Sequence, residues 1–199
     1  MAEPAQKPTP ITVEEFWAWP GDGTGTRYEL VEGQLRAMAP ASGTYGTIHA
    51  NLTAEIRNRL RATRPGCRVV SEPGIRPRIR ENWDHRIPEL AVTCTPNRAD
   101  ELALPDPLLI VEVLSPSNRD DTWNNILRYA TLPSVEEILI VDSQVVKVEM
   151  LRRLADHSWA YETETTIGLG SSVQIDSIGL MLPLAAIYAD THLAVAPEA

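Results

Sequence analysis

The sequence lacks a surplus of positive charge. Its 18 lysine and arginine residues face 27 aspartate and glutamate residues, which gives a formal net charge of −9. A chain with this balance has no general attraction for a phosphate backbone, so any role with nucleic acid requires a local basic patch. At 199 residues and 43% hydrophobic composition, the chain is long enough for one substantial core and too short to promise two.

Cysteine is scarce, and long apolar runs are missing. Cys67 and Cys94 have no CxxC spacing and both lie in strand-like runs, which suggests neither a zinc site nor a disulfide framework. We expect two buried thiols in a reducing cytoplasm. The opening segment MAEPAQKPTP has no apolar core, and nowhere do about eighteen uncharged apolar residues run together. Neither secretion nor membrane anchoring is therefore predicted.

The order of the predicted strands indicates one mixed sheet. RYELVEGQLRAMAP reads as a hairpin that turns at Glu32-Gly33, because an acidic residue and a glycine separate two strand-like runs. Further strands are predicted for CRVVSE, GIRPRIR, ELAVTC, PLLIVEVLS, EILIVD, VVKVEMLRRL and WAYETE. We expect a disordered tail over residues 1–11, a single domain over residues 12–190 and a C-terminal tail over residues 191–199.

Helices are predicted to flank this sheet. Thr12 and Glu15 have the spacing of a capping box that opens a short helix, which Pro20 ends. Residues 45–63 carry an apolar residue every four positions, which predicts an amphipathic helix with a basic outer side. A second long helix is expected at about residues 120–132, and PLAAIYAD forms a short last one. The predicted class is α/β, in the α+β arrangement of a mixed sheet flanked by helices.

Glu112 interrupts the apolar strand LLIVEVLS. Burying an unpaired charge there would cost several kcal/mol, so Glu112 either faces solvent at the strand end, pairs with an arginine, or belongs to a site that uses its charge. Glu89 begins another strand and is similarly placed. Two carboxylates about 4 Å apart would repel by roughly 4 kcal/mol at an effective dielectric constant of about 20. A divalent cation, Mg²⁺ or Mn²⁺, would relieve that repulsion.

The order of motifs resembles that of a known family. YELVEGQL, IHANL, RIPELAV, LLIVEVLSPSNRDD and RYATLPSVEEILIVDS follow one another between about residues 28 and 142, and this order is similar to that of the Uma-two family of bacterial endonucleases. The resemblance implies the restriction-endonuclease-like fold of the PD-(D/E)XK superfamily. It also implies hydrolysis of DNA phosphodiester bonds with Mg²⁺ or Mn²⁺ as cofactor.

The resemblance places the acidic residues of such a site. The family's Pro-Asp motif falls on Pro88-Glu89 and its second carboxylate falls on Glu112, so both positions keep an acid. Glu89 and Glu112 are therefore the implied metal ligands. Glu29 and His49 are implied to lie near the acidic cleft. A solvent-facing strand position is an equal alternative for Glu29, and a lone histidine on the apolar side of a helix, such as His49, is more often a core residue.

The lysine of the family's catalytic set is not found where the resemblance implies it. Leu114 occupies the position two residues after the second carboxylate, and Asn125 occupies the position on the following helix, four residues before Tyr129. Asparagine can hydrogen-bond a water but supplies no positive charge to a phosphate. Arg128 and Lys147 are the candidates to substitute for the lysine.

Two other charged sets have competing explanations. Asp120 and Asp121 begin the second long helix, where we expect them to stabilise its positive end rather than to bind a metal. A basic surface for nucleic acid could combine arginines of the first long helix with those around GIRPRIR, although the solvated face of a helix looks the same. The candidates are Arg57, Arg59, Arg61, Arg64, Arg76, Arg78, Arg80 and Arg86.

Three hypotheses of function follow. The first is a Mg²⁺-dependent DNA endonuclease in which Glu89 and Glu112 hold the metal and Glu29 assists. The second is a catalytically inactive protein of the same fold that acts as a binding or assembly module, and Asn125 is the best argument for it. The third is a dimerising scaffold, because exposed sheet edges often pair between subunits. A homodimer, with DNA as a partner of the active form, is the expected assembly.

Overall fold

A computed structural model describes residues 9–38, 42–116 and 119–195. Its helices are α1 (Val13–Ala18), α2 (Gly43–Thr63), α3 (Arg119–Tyr129) and α4 (Leu184–Ile187). Its strands are β1 (Tyr28–Val31), β2 (Gln34–Ala37), β3 (Arg68–Ser71), β4 (Leu90–Thr93), β5 (Pro107–Leu114), β6 (Glu137–Asp142), β7 (Lys147–Arg152), β8 (Glu164–Ile167), β9 (Ser172–Ile175) and β10 (Leu180–Pro183). Residues 1–8 and 196–199 of the two predicted tails and the side chain of Asp120 lie outside this description.

Six strands form one mixed sheet in the order β3-β4-β5-β6-β7-β8. β5 and β6 are parallel, and the other neighbours are antiparallel. Parallel neighbours require a crossover connection, and α3 provides it. The pairs β1-β2 and β9-β10 form separate two-stranded sheets. This architecture confirms the predicted mixed sheet flanked by helices, although the β9-β10 hairpin was not predicted.

The alternation along β5 decides which face Glu112 occupies. Val111 and Val113 pack in the core on the α2 side of the sheet, whereas Ile110 and Leu114 pack in the core on the α3 side. Successive side chains of a strand point to opposite faces. Glu112 lies between Ile110 and Leu114 in this alternation, so its carboxylate is on the α3 side.

The predicted helices are present. α2 buries a stripe at four-residue spacing, formed by Ile48, Leu52, Ile56 and Leu60, as its amphipathic pattern predicts. The capping box of Thr12 and Glu15 opens α1, which ends before Pro20. None of the described helices is both long and apolar enough to span a membrane.

The β1-β2 hairpin turns at Glu32 and Gly33 as predicted. Both residues have positive φ angles, 52° and 80°, which is the backbone of the tight turns that suit two-residue hairpins. A Cβ atom at Gly33 would lie 2.7 Å from the Cβ of Pro10, so glycine is required there. Leu30 exchanges backbone hydrogen bonds of 2.9 Å with His85. That bridge holds the hairpin against the segment that leads into β4.

Two predicted strands are wrong. GIRPRIR forms a single bridge, between Ile75 and Arg86, and then turns, because Pro77 has no N–H to continue a ladder. In WAYETE, Trp159 makes only a bridge to Arg153, and its ring lies under that guanidinium at 4.5 Å. The strand itself is β8, which begins where WAYETE ends.

The expectation of free buried thiols is also wrong. Cys67 and Cys94 form a disulfide. Arg68 pairs with Thr93 in the antiparallel β3-β4 register. One further step along this register places Cys67 opposite Cys94. The inference of a reducing compartment depended on free thiols and loses that support.

Candidate active site

Glu89 and Glu112 lie side by side on the α3 face of the sheet. Leu90 pairs with Val111 in the antiparallel β4-β5 register, and one further step along the pair sets Glu89 opposite Glu112. Glu89 is 7% exposed and Glu112 is 4% exposed. The structure therefore brings together the two acids that the sequence picked out, and it buries both.

Burial and mutual repulsion disfavour the charged forms of these acids. Desolvation raises the pKa of Glu89 to about 7, although the positive charge of Arg27 opposes this. The pKa of Glu112 is raised well above its usual range by burial first, and then by the negative charges of Glu89 and Glu29, with Arg36 opposing them. Without a cation the site therefore favours the protonated, neutral forms of these acids.

Glu29 is a buried member of the same site rather than a solvent-facing strand residue. One oxygen, Oε1, accepts hydrogen bonds from Nε and Nη2 of Arg36 at 2.8 and 2.5 Å. The other oxygen, Oε2, is buried and accepts no hydrogen bond from the described part of the chain, and the same holds for Oε1 of Glu112. Two carboxylate oxygens are thus left for a ligand.

One stripe of α3 covers the acids. Asp121, Asn125 and Tyr129 follow at intervals of four residues and share a helix face. Burial and the charge of Glu112 raise the pKa of Tyr129 well above 10, yet no hydrogen bond of normal geometry joins the two side chains. α3 therefore closes the site with a phenol and an amide.

Asn125, at the position of the family's lysine, meets two guanidinium groups. Its amide oxygen accepts hydrogen bonds from Arg86 at 2.7 Å and from Arg36 at 3.2 Å. Arg86 was assigned to a basic surface, and that assignment is wrong: the side chain is 2% exposed and pairs with Asp84 at 2.9 Å. The positive charge at this site comes from β2 and from the segment before β4, not from α3.

The two residues expected to substitute for the lysine are engaged elsewhere. Arg128 lies on α3 but pairs with Glu32 at 2.6 Å and with Asp84 at 3.5 Å, which directs it to the β1-β2 hairpin. Lys147 pairs with Glu149 at 3.1 Å along β7. Neither residue takes the place of the lysine.

His49 contacts the backbone of the site rather than its carboxylates. Its Nε2 lies 3.2 Å from the carbonyl oxygen of Glu89, while Tyr45 donates its hydroxyl to the Glu89 carboxylate. His49, Arg57 and Arg61 line a groove of about 520 Å³ beside α2. His49 is therefore a half-buried neighbour of the acids, at the end of a basic groove.

Several of the arginines predicted to form one basic surface instead contact different parts of the protein. Arg59 donates to the carbonyl of Ile178 at 3.2 Å, so it faces the protein. Arg76 pairs with Glu14, and Arg80 pairs with Glu32, both at 3.0 Å. The groove beside α2 is what remains of the basic surface near the site.

The residues present fit a hard divalent cation with a partly solvated coordination shell. Among the described residues, no group of three His, Cys, Asp or Glu side chains is placed to hold a metal ion, which argues against an all-protein cage. Mg²⁺ commonly binds to one or two carboxylates and completes its shell with water and phosphate oxygens. Glu89 and Glu112, with the unpaired Oε1 of Glu112, meet that requirement.

The sequence model of one family, described as "Uma2: Putative restriction endonuclease", matches residues 13–185. The chain belongs to the Uma2 family. This Uma2 match extends from α1 through β10 and so covers every element that positions the site. It confirms the resemblance that the order of motifs indicated.

The fold of this Uma2 protein is found in a solved structure. It is described as the crystal structure of a putative nuclease belonging to DUF820 from Anabaena variabilis. The two chains superpose with a TM-score of 0.73 at 20% sequence identity, over 90% of this chain and 98% of that one. At this identity the likeness confirms the fold alone. The comparison with curated proteins finds no match.

Proposed function

We propose that this Uma2 protein is a divalent-metal-dependent endonuclease that hydrolyses phosphodiester bonds of DNA. The observation that carries the proposal is the burial of Glu29, Glu89 and Glu112 in one site, with two oxygens that accept no hydrogen bond from the described residues. Leaving buried acids without compensation is costly. A cation that binds them would remove that cost and at the same time attract a phosphate.

In this proposal each acid has its own task. Glu89 and Glu112 hold Mg²⁺ or Mn²⁺, which supplies Lewis-acid polarisation of the phosphate when bound. Tyr45 fixes the Glu89 carboxylate by a hydrogen bond. Glu29 is fixed through Oε1 by Arg36, so its Oε2, which accepts no hydrogen bond from the described residues, can orient a water molecule.

Arg36 and Arg86 supply the positive charge that Asn125 lacks. Both guanidinium groups donate to the Asn125 oxygen, so their charges lie where the helix carries only an amide. A charge that is held in place before the reaction stabilises developing negative charge without reorganisation. The groove lined by Arg57 and Arg61 is the proposed approach for the DNA backbone. The homodimer stays a prediction.

A second candidate is an inactive nuclease-fold protein that binds DNA or assembles with a partner. The neutral amide of Asn125 favours it, because a protein that no longer cleaves DNA has no need of a lysine there. In this alternative the acids could still bind a cation. Activity, not metal binding, therefore separates the two candidates.

The deciding experiment is cleavage of supercoiled plasmid by the purified protein in Mg²⁺ or Mn²⁺. Glu112→Gln removes one carboxylate of the site, and Glu136→Gln removes an exposed carboxylate just before β6 as a matched control. The endonuclease proposal predicts nicking by the wild type and the control, and loss of nicking in Glu112→Gln. Absence of nicking together with measurable metal binding would favour the inactive protein.

A further inference from the structure

The guanidinium of Arg36 has an inner and an outer edge with different partners. On the inner edge, Nε and Nη2 donate hydrogen bonds to Glu29, and Nη2 also donates to Asn125. On the outer edge, Nη1 forms an ion pair with Asp121, whose side chain is 50% exposed. The Arg36 side chain is itself 24% exposed. One edge is therefore anchored in the site while the other opens to solvent.

The two edges differ in how firmly their partners hold them. The Glu29 contacts are buried, and the loss of one partner would leave a charge without compensation. The Asp121 contact is half exposed, and ion pairs of that kind contribute little to stability. A ligand that outcompetes one half-exposed carboxylate can therefore take its place without disturbing Glu29.

A phosphate is the ligand that fits this edge. The planar guanidinium binds phosphate oxygens in the same way as it binds a carboxylate, through charge-assisted hydrogen bonds. The carboxylate of Asp121 already lies at this edge of Arg36, which shows that an anion fits there. The neighbouring Arg86 cannot do the same, because Asp84 and Asn125 bind it and its side chain is 2% exposed.

We propose that the outer edge of Arg36 binds a backbone phosphate of the DNA substrate, and that Asp121 occupies the position of that phosphate in the free protein. This inference rests on the proposed function, because it names the group that receives the substrate in the same site. Asp121 then has a role besides stabilising the start of α3: it competes with the substrate for Arg36.

The test is binding of a short fluorescein-labelled DNA duplex in Ca²⁺, measured by anisotropy. Ca²⁺ keeps the oxygen-ligand preference of Mg²⁺ but has a looser geometry. Arg36→Lys keeps the positive charge beside Glu29 but removes the planar set of guanidinium N–H donors. We therefore expect about tenfold weaker binding of the duplex. Asp121→Asn removes the competitor, so we expect binding to tighten by about threefold.

The matched controls come from Arg98 and Asp100, an exposed ion pair with a 3.2 Å contact away from the site. Arg98→Lys and Asp100→Asn make the same chemical changes and should leave binding unchanged. Thermal melting of each variant shows whether the fold persists. Weaker binding in Asp121→Asn would mean that Asp121 supports the site, and would overturn the inference.

The outcomes separate this inference from the proposed function. If the wild type does not nick plasmid but the two variants shift binding in opposite directions, the endonuclease proposal fails and the phosphate position stands. If the wild type nicks plasmid but Arg36→Lys and Asp121→Asn bind DNA like the wild type, this inference alone fails. A wild type that neither nicks plasmid nor binds DNA in Ca²⁺ overturns both.

Discussion

Glu29 and Arg36 face each other across the β1-β2 hairpin, with Nε of Arg36 2.8 Å from Oε1 of Glu29. The same guanidinium reaches the amide oxygen of Asn125 at 3.2 Å. The hairpin thus brings both an acid and a cation to the site. In this chain the cation comes from a strand, although the family resemblance implied that it would come from the helix.

A lysine restored at position 125 should therefore not repair the site. Asn125→Lys removes the acceptor of Arg86 and Arg36 and places a third cation beside them. We expect a loss of at least about 2 kcal/mol in the free energy of unfolding, since a buried donor without a partner alone costs about 1–3 kcal/mol. Urea unfolding measures the loss. Asn124→Lys, on the exposed side of the same helix, is the control and should change little.

The same lysine should be tolerated once Arg36 is removed. In Arg36→Met with Asn125→Lys, the number of positive charges in the site is conserved. We expect the double variant to be more stable than the sum of the two single effects predicts, by about 1 kcal/mol in a double-mutant cycle. If the effects of the two substitutions on the free energy of unfolding simply add, the lysine at position 125 does not replace the positive charge of Arg36.

Much of the site was accessible from the sequence. A two-residue turn at Glu32 and Gly33 sets residues 29 and 36 opposite each other, so the partner of Glu29 could have been read from the hairpin register. The apolar strands around Glu89 and Glu112 similarly placed both acids on a buried sheet. Local patterns were sufficient wherever the contact is set by strand register.

Other contacts depend on packing between distant segments. Arg86 looked like a surface residue because its partner Asn125 lies 39 positions away on α3, and no local pattern records that contact. The disulfide of Cys67 and Cys94 depends on the β3-β4 register across 27 residues. Neither contact could be predicted before the strands were paired.

The buried pair of Arg86 and Asp84 should be expensive to break. Removing one partner leaves the other charge buried, so we expect Arg86→Met to cost about 3–5 kcal/mol. Arg98→Met, which breaks an exposed pair with Asp100, should cost less than about 1 kcal/mol. Chemical unfolding of both variants makes the comparison. Equal costs would contradict the role given to Arg86.

The raised pKa of Glu89 predicts a loss of stability as the pH rises when no metal is present. The folded state holds the proton up to about pH 7, whereas the usual value is 4.5. The unfolding free energy should therefore fall across that interval, by up to about 3 kcal/mol. Burial lowers the pKa of His85 and gives the opposite slope. The difference between the wild type and Glu89→Gln isolates the carboxylate.

Thermal melting in EDTA from pH 5 to pH 8 tests this dependence. Glu89→Gln should have a shallower downward slope than the wild type, because the raised pKa of Glu112 still contributes to it, and Glu136→Gln should keep the wild-type slope. Mg²⁺ should raise the melting temperature more at pH 8 than at pH 5, because ligation requires the ionised acid. A wild-type curve with the same slope as Glu89→Gln would contradict the pKa assignment.

Counting the reactive thiols before and after reduction tests whether the disulfide forms. The chain has two cysteines, so we expect no thiol to react in unfolded, unreduced protein and two to react after reduction. Reduction should cost about 3 kcal/mol for a loop of this length, and should lower the melting temperature by on the order of 5 to 10 °C. Two reactive thiols before reduction would show that the bond does not form.

The most direct test of the cation site is a calorimetric titration of Mn²⁺ into the purified protein at pH 8. We expect saturable binding by the wild type and by Glu136→Gln, and loss of that binding in Glu89→Gln and Glu112→Gln. Binding that persists unchanged in both site variants, or no binding by the wild type, would contradict the assignment of Glu89 and Glu112 as the metal ligands.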